Sequence, residues 1–293
     1  MASKSARATR YPLAEKVVLI TGAGRGLGAA TAAAVSARGA KVVIADIDPA
    51  SAERVVATLP AGRGLAVECD VTRLESVRHA VERTHEVFGG IDVVVANAGI
   101  LGHGGTMRTL APADVDRVMA VNVGGVVNTV SATIESVIGS RGQIVLVSSV
   151  FAFLNGAGAI PYAMSKAAVE QLGRGLSVEL ARHGASAMTA YFSLIETDMI
   201  HRGVDADPHV SALLAAMPRF VLKRIQPHAA ASALADGVES RKRAILAPGR
   251  WRPLAALRGM AGPATDSKLA RDDAVRYALG RLEDARPVTA RRF

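Results

Sequence analysis

Short runs of β-branched and apolar residues alternate with longer, alanine-rich segments of mixed polarity along most of the chain. The runs at 16–21, 41–46, 64–70, 91–96, 143–148 and 186–192 read as strands, with a weaker seventh at 243–247. The segments at 26–38, 49–59, 74–88, 112–138 and 162–183 read as helices. Strands alternating with helices predict an α/β fold, a doubly wound parallel sheet with helices on both faces. The run 91–96 is apolar throughout, as expected of a central strand covered on both sides. Gly39 sits where a helix ends. No repeat at solenoid spacing interrupts the pattern.

The pattern loosens in two places. The stretch 196–226 mixes polar residues, proline and apolar residues without a clean period, and it is longer than an ordinary connection. Beyond 247 the alternation stops, although Val275, Ala278, Leu279 and Leu282 fall at i, i+3, i+4 and i+7 and predict one amphipathic helix. That helix packs on its own subunit by default; docking on another subunit or on a membrane surface is left open. The expected organisation is a flexible tail over 1–12, one domain over 13–250 and a C-terminal extension over 251–293.

Composition supports a single large domain: 293 residues, 50% hydrophobic and 21% charged, with 28 glycines and few aromatics. The single cysteine, Cys69, excludes an internal disulfide and fits a reducing compartment. The basic N-terminal stretch lacks the apolar core of a secretory signal, and no apolar run approaches the ~20 residues of a membrane span. A cytoplasmic protein without stable membrane insertion is therefore expected. The net charge of +9 is spread along the chain without interleaved aromatics, which argues for a solvated surface and against nucleic-acid binding. The histidines form no metal-ligand spacing, so no metal is expected.

The chemistry lies in two motifs. Tyr162 and Lys166 are four apart, hence on one helix face. A phenol titrates near ~10, and a neighbouring ammonium favours its ionised form. The pair makes a proton-transfer device, with the Ser149 hydroxyl upstream able to hold the oxygen that gains or loses the proton. The second motif, Thr21-Gly22-Ala23-Gly24-Arg25-Gly26-Leu27-Gly28, closes the first strand and opens a helix. Gly22 permits a sharp turn, Gly26 clears the approach to phosphates and Gly28 lets helix and sheet pack closely. Helix amides then face the negative charge. Arg25 either adds a positive side chain there or faces solvent. Asp46, closing the second strand, can accept from adenosine ribose hydroxyls and repels a 2′-phosphate, which favours NAD over NADP. Asp48 reads as a cap before Pro49.

In this order and at these separations the motifs resemble the short-chain dehydrogenase/reductase family over about 16–246. The resemblance implies a Rossmann-like sheet of about seven strands. It also implies hydride transfer between NAD(H) and a secondary alcohol or ketone. Tyr162 becomes the general acid/base, Lys166 its partner and a ligand of the nicotinamide ribose, Ser149 the substrate-oxygen donor, and Asn122 the support of a proton-relaying water. Asn122 could instead satisfy backbone at a kink in its helix.

For the cofactor, the resemblance adds Thr21, Leu27, the pair Asp70-Val71 on adenine, and the turn Asn97-Ala98-Gly99. An amide at Ile195 and the Thr197 hydroxyl would meet the nicotinamide amide. One departure stands out: Phe192-Ser193 occupies the place of the family's usual Pro-Gly. The resemblance also implies a substrate lid over about 196–226 and a homo-oligomer, tetramer or dimer, built on the helices at 112–138 and 162–183. Phe151, Phe153, Leu154, Ile160 and Phe192 flank the catalytic positions in sequence and suggest an apolar alcohol, steroid-like, terpenoid or lipid-derived. An NADP(H)-dependent carbonyl reductase and a non-catalytic nucleotide sensor are the competing readings.

Overall fold

Residues 10–217 and 222–285 are described in the computed structural model of the chain. Among the described residues seven strands form: β1 (Val17–Thr21), β2 (Lys41–Asp46), β3 (Gly64–Glu68), β4 (Val93–Ala96), β5 (Gln143–Ser149), β6 (Ser186–Phe192) and β7 (Ala244–Ala247). All pair in parallel in one sheet of order β3-β2-β1-β4-β5-β6-β7. The order reverses between β1 and β4, and a crevice opens there at the carboxyl ends of the strands.

Helices cover both faces: α1 (Gly26–Ser36), α2 (Pro49–Val56), α3 (Leu74–Phe88), α4 (Pro112–Met119), α5 (Gly125–Gly139) and α6 (Ile160–Glu179). Alternation along β1 splits the core in two. Val18 and Ile20 join Ala32 and Val35 of α1 on one side, whereas Val17 and Leu19 join Val77 of α3, Val126 of α5 and Val169 of α6 on the other. Fully burying each such side chain stabilises the fold by roughly 1.5–3 kcal/mol.

The helix expected at 112–138 is instead two helices, α4 and α5, joined by a π-helical turn at Ala120–Gly124 with Asn122 buried in it. The span Pro112–Gly139 is long and apolar enough, by composition, to cross a membrane. Here Val126, Val130 and Val137 pack it against the sheet.

The segment after β6 holds α7 (Asp198–Ile200), a second π-helical turn (His201–Asp205) and α8 (Pro208–Ala215). Residues 218–221 of the expected lid lie outside the described residues. The two ends of this excursion are stapled: Ile225 N donates to Leu194 O at 3.0 Å and Glu196 N to Ile225 O at 2.9 Å. α9 (Pro227–Glu239) then leads to β7.

The extension forms two helices where one was expected, α10 (Arg252–Arg271) and α11 (Asp273–Asp284). Asp272 separates them and caps α11, accepting from the Ala274 and Val275 amides. Val275, Ala278 and Leu282 are buried against Leu213 of α8, so the amphipathic helix packs on its own subunit. Residues 1–9 of the expected N-terminal tail lie outside the described residues; Arg10 and Tyr11 already touch Glu239 at the end of α9.

Candidate active site

β5 and α6 carry the reacting groups. Parallel pairing with β6 sets Ser149 opposite Phe192. Ser149 Oγ donates to the Phe192 carbonyl at 3.2 Å and accepts from Phe151 N at 3.2 Å. The residue that replaces the expected proline thus orients the serine through its carbonyl, a bond that a proline carbonyl could equally accept. Tyr162 lies in the first turn of α6, half-buried, with its ring meeting the edge of Phe151 at 6.0 Å and 74°. Lys166, one turn on, is 4% exposed. Its Nζ donates to the Val147 carbonyl at 3.0 Å and lies 5.5 Å from the Tyr162 ring centroid. Ser148 has the structural part expected of it, donating to the Lys166 carbonyl at 2.9 Å.

Desolvation governs this pair. Burial pushes the Tyr162 phenol up, and a hydrogen bond with Ser149 pulls it back. Burial also pushes the Lys166 ammonium down to about 8. The sequence leads one to expect the ammonium to depress the phenol. In the folded chain burial is the largest influence on each group, because either charged form is costly away from water.

Asn122 is fully buried, and its amide is spoken for. Oδ1 accepts from Ile100 N at 2.8 Å, while Nδ2 donates to Ile100 O at 2.9 Å and to Ser165 Oγ at 3.0 Å. Ser165 Oγ in turn donates to the Tyr162 carbonyl. Gly99 lies between two of these groups: a Cβ there would stand 3.2 Å from Asn122 Oδ1 and 3.5 Å from Lys166 Nζ.

The glycine turn fits a dinucleotide. Gly22 and Gly26 have φ of +63° and +56°, and a Cβ on Gly28 would come within 2.4 Å of the Gly22 carbonyl. α1 starts at Gly26 with no side-chain cap and no acid in its first turn, which leaves its amides to an anion. Asp46 braces the turn, its Oδ2 accepting from Gly24 N at 2.7 Å and its Oδ1 from Asp48 N at 3.0 Å. Asp48 caps α2, as expected. Asn97 Nδ2 donates to the Thr21 and Gly22 carbonyls, each at 2.9 Å, tying β4 to the same turn.

One cleft of about 1300 Å³ joins the two regions. Gly22, Arg25, Gly26, Leu27, Gly28, Asp46, Asp70, Val71, Asn97, Ala98, Gly99, Ile195 and Thr197 all line it, as do Ser149, Tyr162 and Lys166. Thr21 and Asn122 do not. Thr21 is 1% exposed, its Oγ1 accepting from the Asn97 and Ala98 amides, so it shapes the cleft from behind. Of the apolar residues flanking the motif, Phe151, Phe153, Leu154 and Phe192 reach the cleft, while Ile160 does not. His103 lines its mouth and pairs with Asp114 at 3.2 Å. Sequence reasoning missed the contribution of α10, which supplies Leu254, Arg258 and Leu269. Among the described residues no cluster of side chains could hold a metal ion.

A family model described as short chain dehydrogenase matches residues 16–207. The meso-2,3-butanediol dehydrogenase of Serratia marcescens is 35% identical over 63% of this chain and 73% of its own. A probable oxidoreductase of Mycobacterium tuberculosis, EphD, is 33% identical over 78% of this chain, which spans only 40% of that protein. Among solved structures, a short-chain dehydrogenase/reductase of Burkholderia phymatum in complex with NAD has TM-score 0.75 at 26% identity, covering 87% of this chain and 96% of that one. A short-chain dehydrogenase of Burkholderia cenocepacia in complex with NADP has TM-score 0.71 at 31% identity, covering 80% and 97%.

Proposed function

The chain belongs to the short-chain dehydrogenase family, oxidoreductases acting on CH–OH groups, and from that premise we propose that it interconverts an apolar secondary alcohol and its ketone with NAD(H). The observation that carries the reading is the convergence of Ser149, Tyr162 and Lys166 on the same cleft as the glycine turn. When bound, the nicotinamide cofactor supplies the hydride-accepting or hydride-donating carbon. The chain's own groups do the rest. Ser149, oriented by the Phe192 carbonyl and the Phe151 amide, holds the substrate oxygen. Tyr162 Oη takes the alcohol proton in oxidation and returns it in reduction.

Lys166 serves Tyr162 electrostatically. Its lowered proton affinity suits it to pass a proton on. A part for Asn122 in that relay is supported by its bond to Ser165 and by Gly99, which keeps side-chain atoms out of the space between Asn122 Oδ1 and Lys166 Nζ.

NAD in preference to NADP is supported by Asp46, whose carboxylate lines the cleft beside the glycine turn and disfavours a 2′-phosphate. An apolar substrate is supported by Phe151, Phe153, Leu154, Leu213 and Met217. A homo-oligomer is supported by exposed Val127 of α5 and Met164 and Val178 of α6, and light scattering tests it. Cytoplasmic residence is supported by the buried, unpaired Cys69, and fractionation of the host cell tests it.

The activity is tested by following nicotinamide absorbance with secondary alcohols and NAD, then with ketones and NADH. The expected result is turnover of apolar substrates with NAD favoured. Tight cofactor binding without turnover of any alcohol or ketone would instead select the nucleotide-sensor reading.

A further inference from the structure

α10 is unusual among the helices: none of its twenty residues is buried. A helix with so little of its own core is placed by a few attachments, and they land on segments that carry the catalytic groups. Trp251, just before α10, is 1% exposed and packs on Val150, the residue after Ser149. The Arg258 guanidinium engages Glu170 through both Nη nitrogens, Nη1 to Oε2 at 2.8 Å and Nη2 to Oε1. Glu170 is one turn of α6 beyond Lys166. Asp266 Oδ1 accepts from Asn155 Nδ2 at 3.0 Å, in the loop between Ser149 and Tyr162. α11 then holds the lid helix from outside, through Leu282 on Leu213, while its Glu283 accepts from Thr106 at 2.8 Å and pairs with Arg108 at 2.8 Å.

The face of α10 turned inward is Leu254, Arg258, Gly262, Thr265, Lys268 and Leu269, at i, i+4, i+8, i+11, i+14 and i+15, all lining the cleft. Gly262 is the gap in that face, since a Cβ there would meet nothing within 4 Å. Resting on the alcohol-oxidising reading above, we propose that α10 is the specificity-determining wall of the substrate pocket. The space in front of Gly262 admits the far end of a long apolar substituent on the reacting carbinol.

Gly259 supplies the control. It lies on the same helix, is exposed, does not line the cleft, and a Cβ there also meets nothing within 4 Å. Replacing Gly259 by leucine raises helix propensity. Gly262 precedes Pro263, whose ring crowds a Cβ at the residue before it, so circular dichroism checks the fold of Gly262→Leu and Leu269→Ala carries the test by itself if that variant does not fold. Rates are measured with 2-butanol and 2-decanol. Gly262→Leu is expected to lower kcat/KM for 2-decanol about tenfold relative to that for 2-butanol, with Gly259→Leu matching the unaltered enzyme. Leu269→Ala, which enlarges the same wall, shifts the ratio the opposite way. An unchanged ratio in Gly262→Leu and Leu269→Ala overturns the proposal. If the unaltered enzyme oxidises neither alcohol, fluorescence of 1-anilinonaphthalene-8-sulfonate decides the wall, and the reaction assigned above falls only if no other alcohol or ketone is turned over with NAD or NADP. Loss of dye binding in Gly262→Leu alone sustains it, and equal binding in both glycine variants and the unaltered protein removes it.

Discussion

Lys166 Nζ stands 5.5 Å from the centre of the Tyr162 ring and donates to the Val147 carbonyl, with almost no access to solvent. That burial has a measurable sign. The unfolded lysine titrates near ~10.4, whereas the folded one is lowered to about 8. Below pH 8 both states are protonated and the full cost of burying the ammonium is present. Between these values the unfolded chain holds more protons, so the contribution of Lys166 to stability improves as pH rises.

Urea unfolding of the unligated protein and of Lys166→Met should therefore differ in a pH-dependent way. The variant's relative advantage is expected to shrink between pH 8 and 10 by up to roughly 3 kcal/mol. Cys69, pushed up to about 12 by burial, acts in the opposite direction in this range, but it is common to both proteins and cancels. A difference independent of pH would show that Lys166 is not desolvated as described.

Tyr162→Phe removes the proton carrier and leaves the ring against Phe151. Turnover is expected to fall about 10²–10⁴-fold, with NADH binding by fluorescence little changed. Ser149→Ala should also reduce turnover, and it leaves the Phe151 amide without its serine partner. Undiminished rates in Tyr162→Phe would remove the phenol from the mechanism.

Asp46→Asn tests cofactor choice with little change of shape. The amide keeps one oxygen to accept from Gly24 or Asp48 but loses the charge that opposes a 2′-phosphate. Steady-state kinetics with both cofactors should show the NAD/NADP ratio falling. Asp46→Ala should in addition lower stability by about 1–3 kcal/mol, since two backbone amides lose their acceptor.

Gly28→Ala places a Cβ 2.4 Å from the Gly22 carbonyl and 2.8 Å from Asn97 Nδ2, and neither is the end of a flexible chain. Overpacking of this kind costs about 1–3 kcal/mol and moves α1 away from the turn. Calorimetry should find the cofactor dissociation constant raised more than the melting temperature is lowered. The same substitution at Gly175, where a Cβ meets nothing, should do neither.

Arg258→Ala leaves the Glu170 carboxylate buried without its partner. Because Arg258 is itself partly solvated, the expected loss is about 1–2 kcal/mol, below that of a fully buried pair. Adding Glu170→Gln should recover part of it in a double-mutant cycle read by urea unfolding. Additive losses would mean that the pair is not coupled.

Whatever depends on local period and local chemistry was legible along the chain. Alternation of apolar runs with amphipathic segments fixed the parallel sheet, because strands covered on both faces must be apolar and their crossovers must be helices. The motifs placed Ser149, Tyr162, Lys166 and the glycine turn, since each needs a particular residue at a particular offset. The amphipathic spacing of Val275, Ala278 and Leu282 likewise announced α11.

Tertiary structure decided what depends on groups distant in the chain. α10 has no apolar stripe of its own, and it is held by a pair 88 residues apart, Arg258 and Glu170. Thr21 and Asn122 sit in motif positions, yet their side chains turn away from the cleft toward backbone on neighbouring segments. The direction of the shift at Tyr162 was also invisible in the spacing: four residues of separation bring the ammonium close, but only the surrounding walls set the desolvation cost that pushes the phenol up.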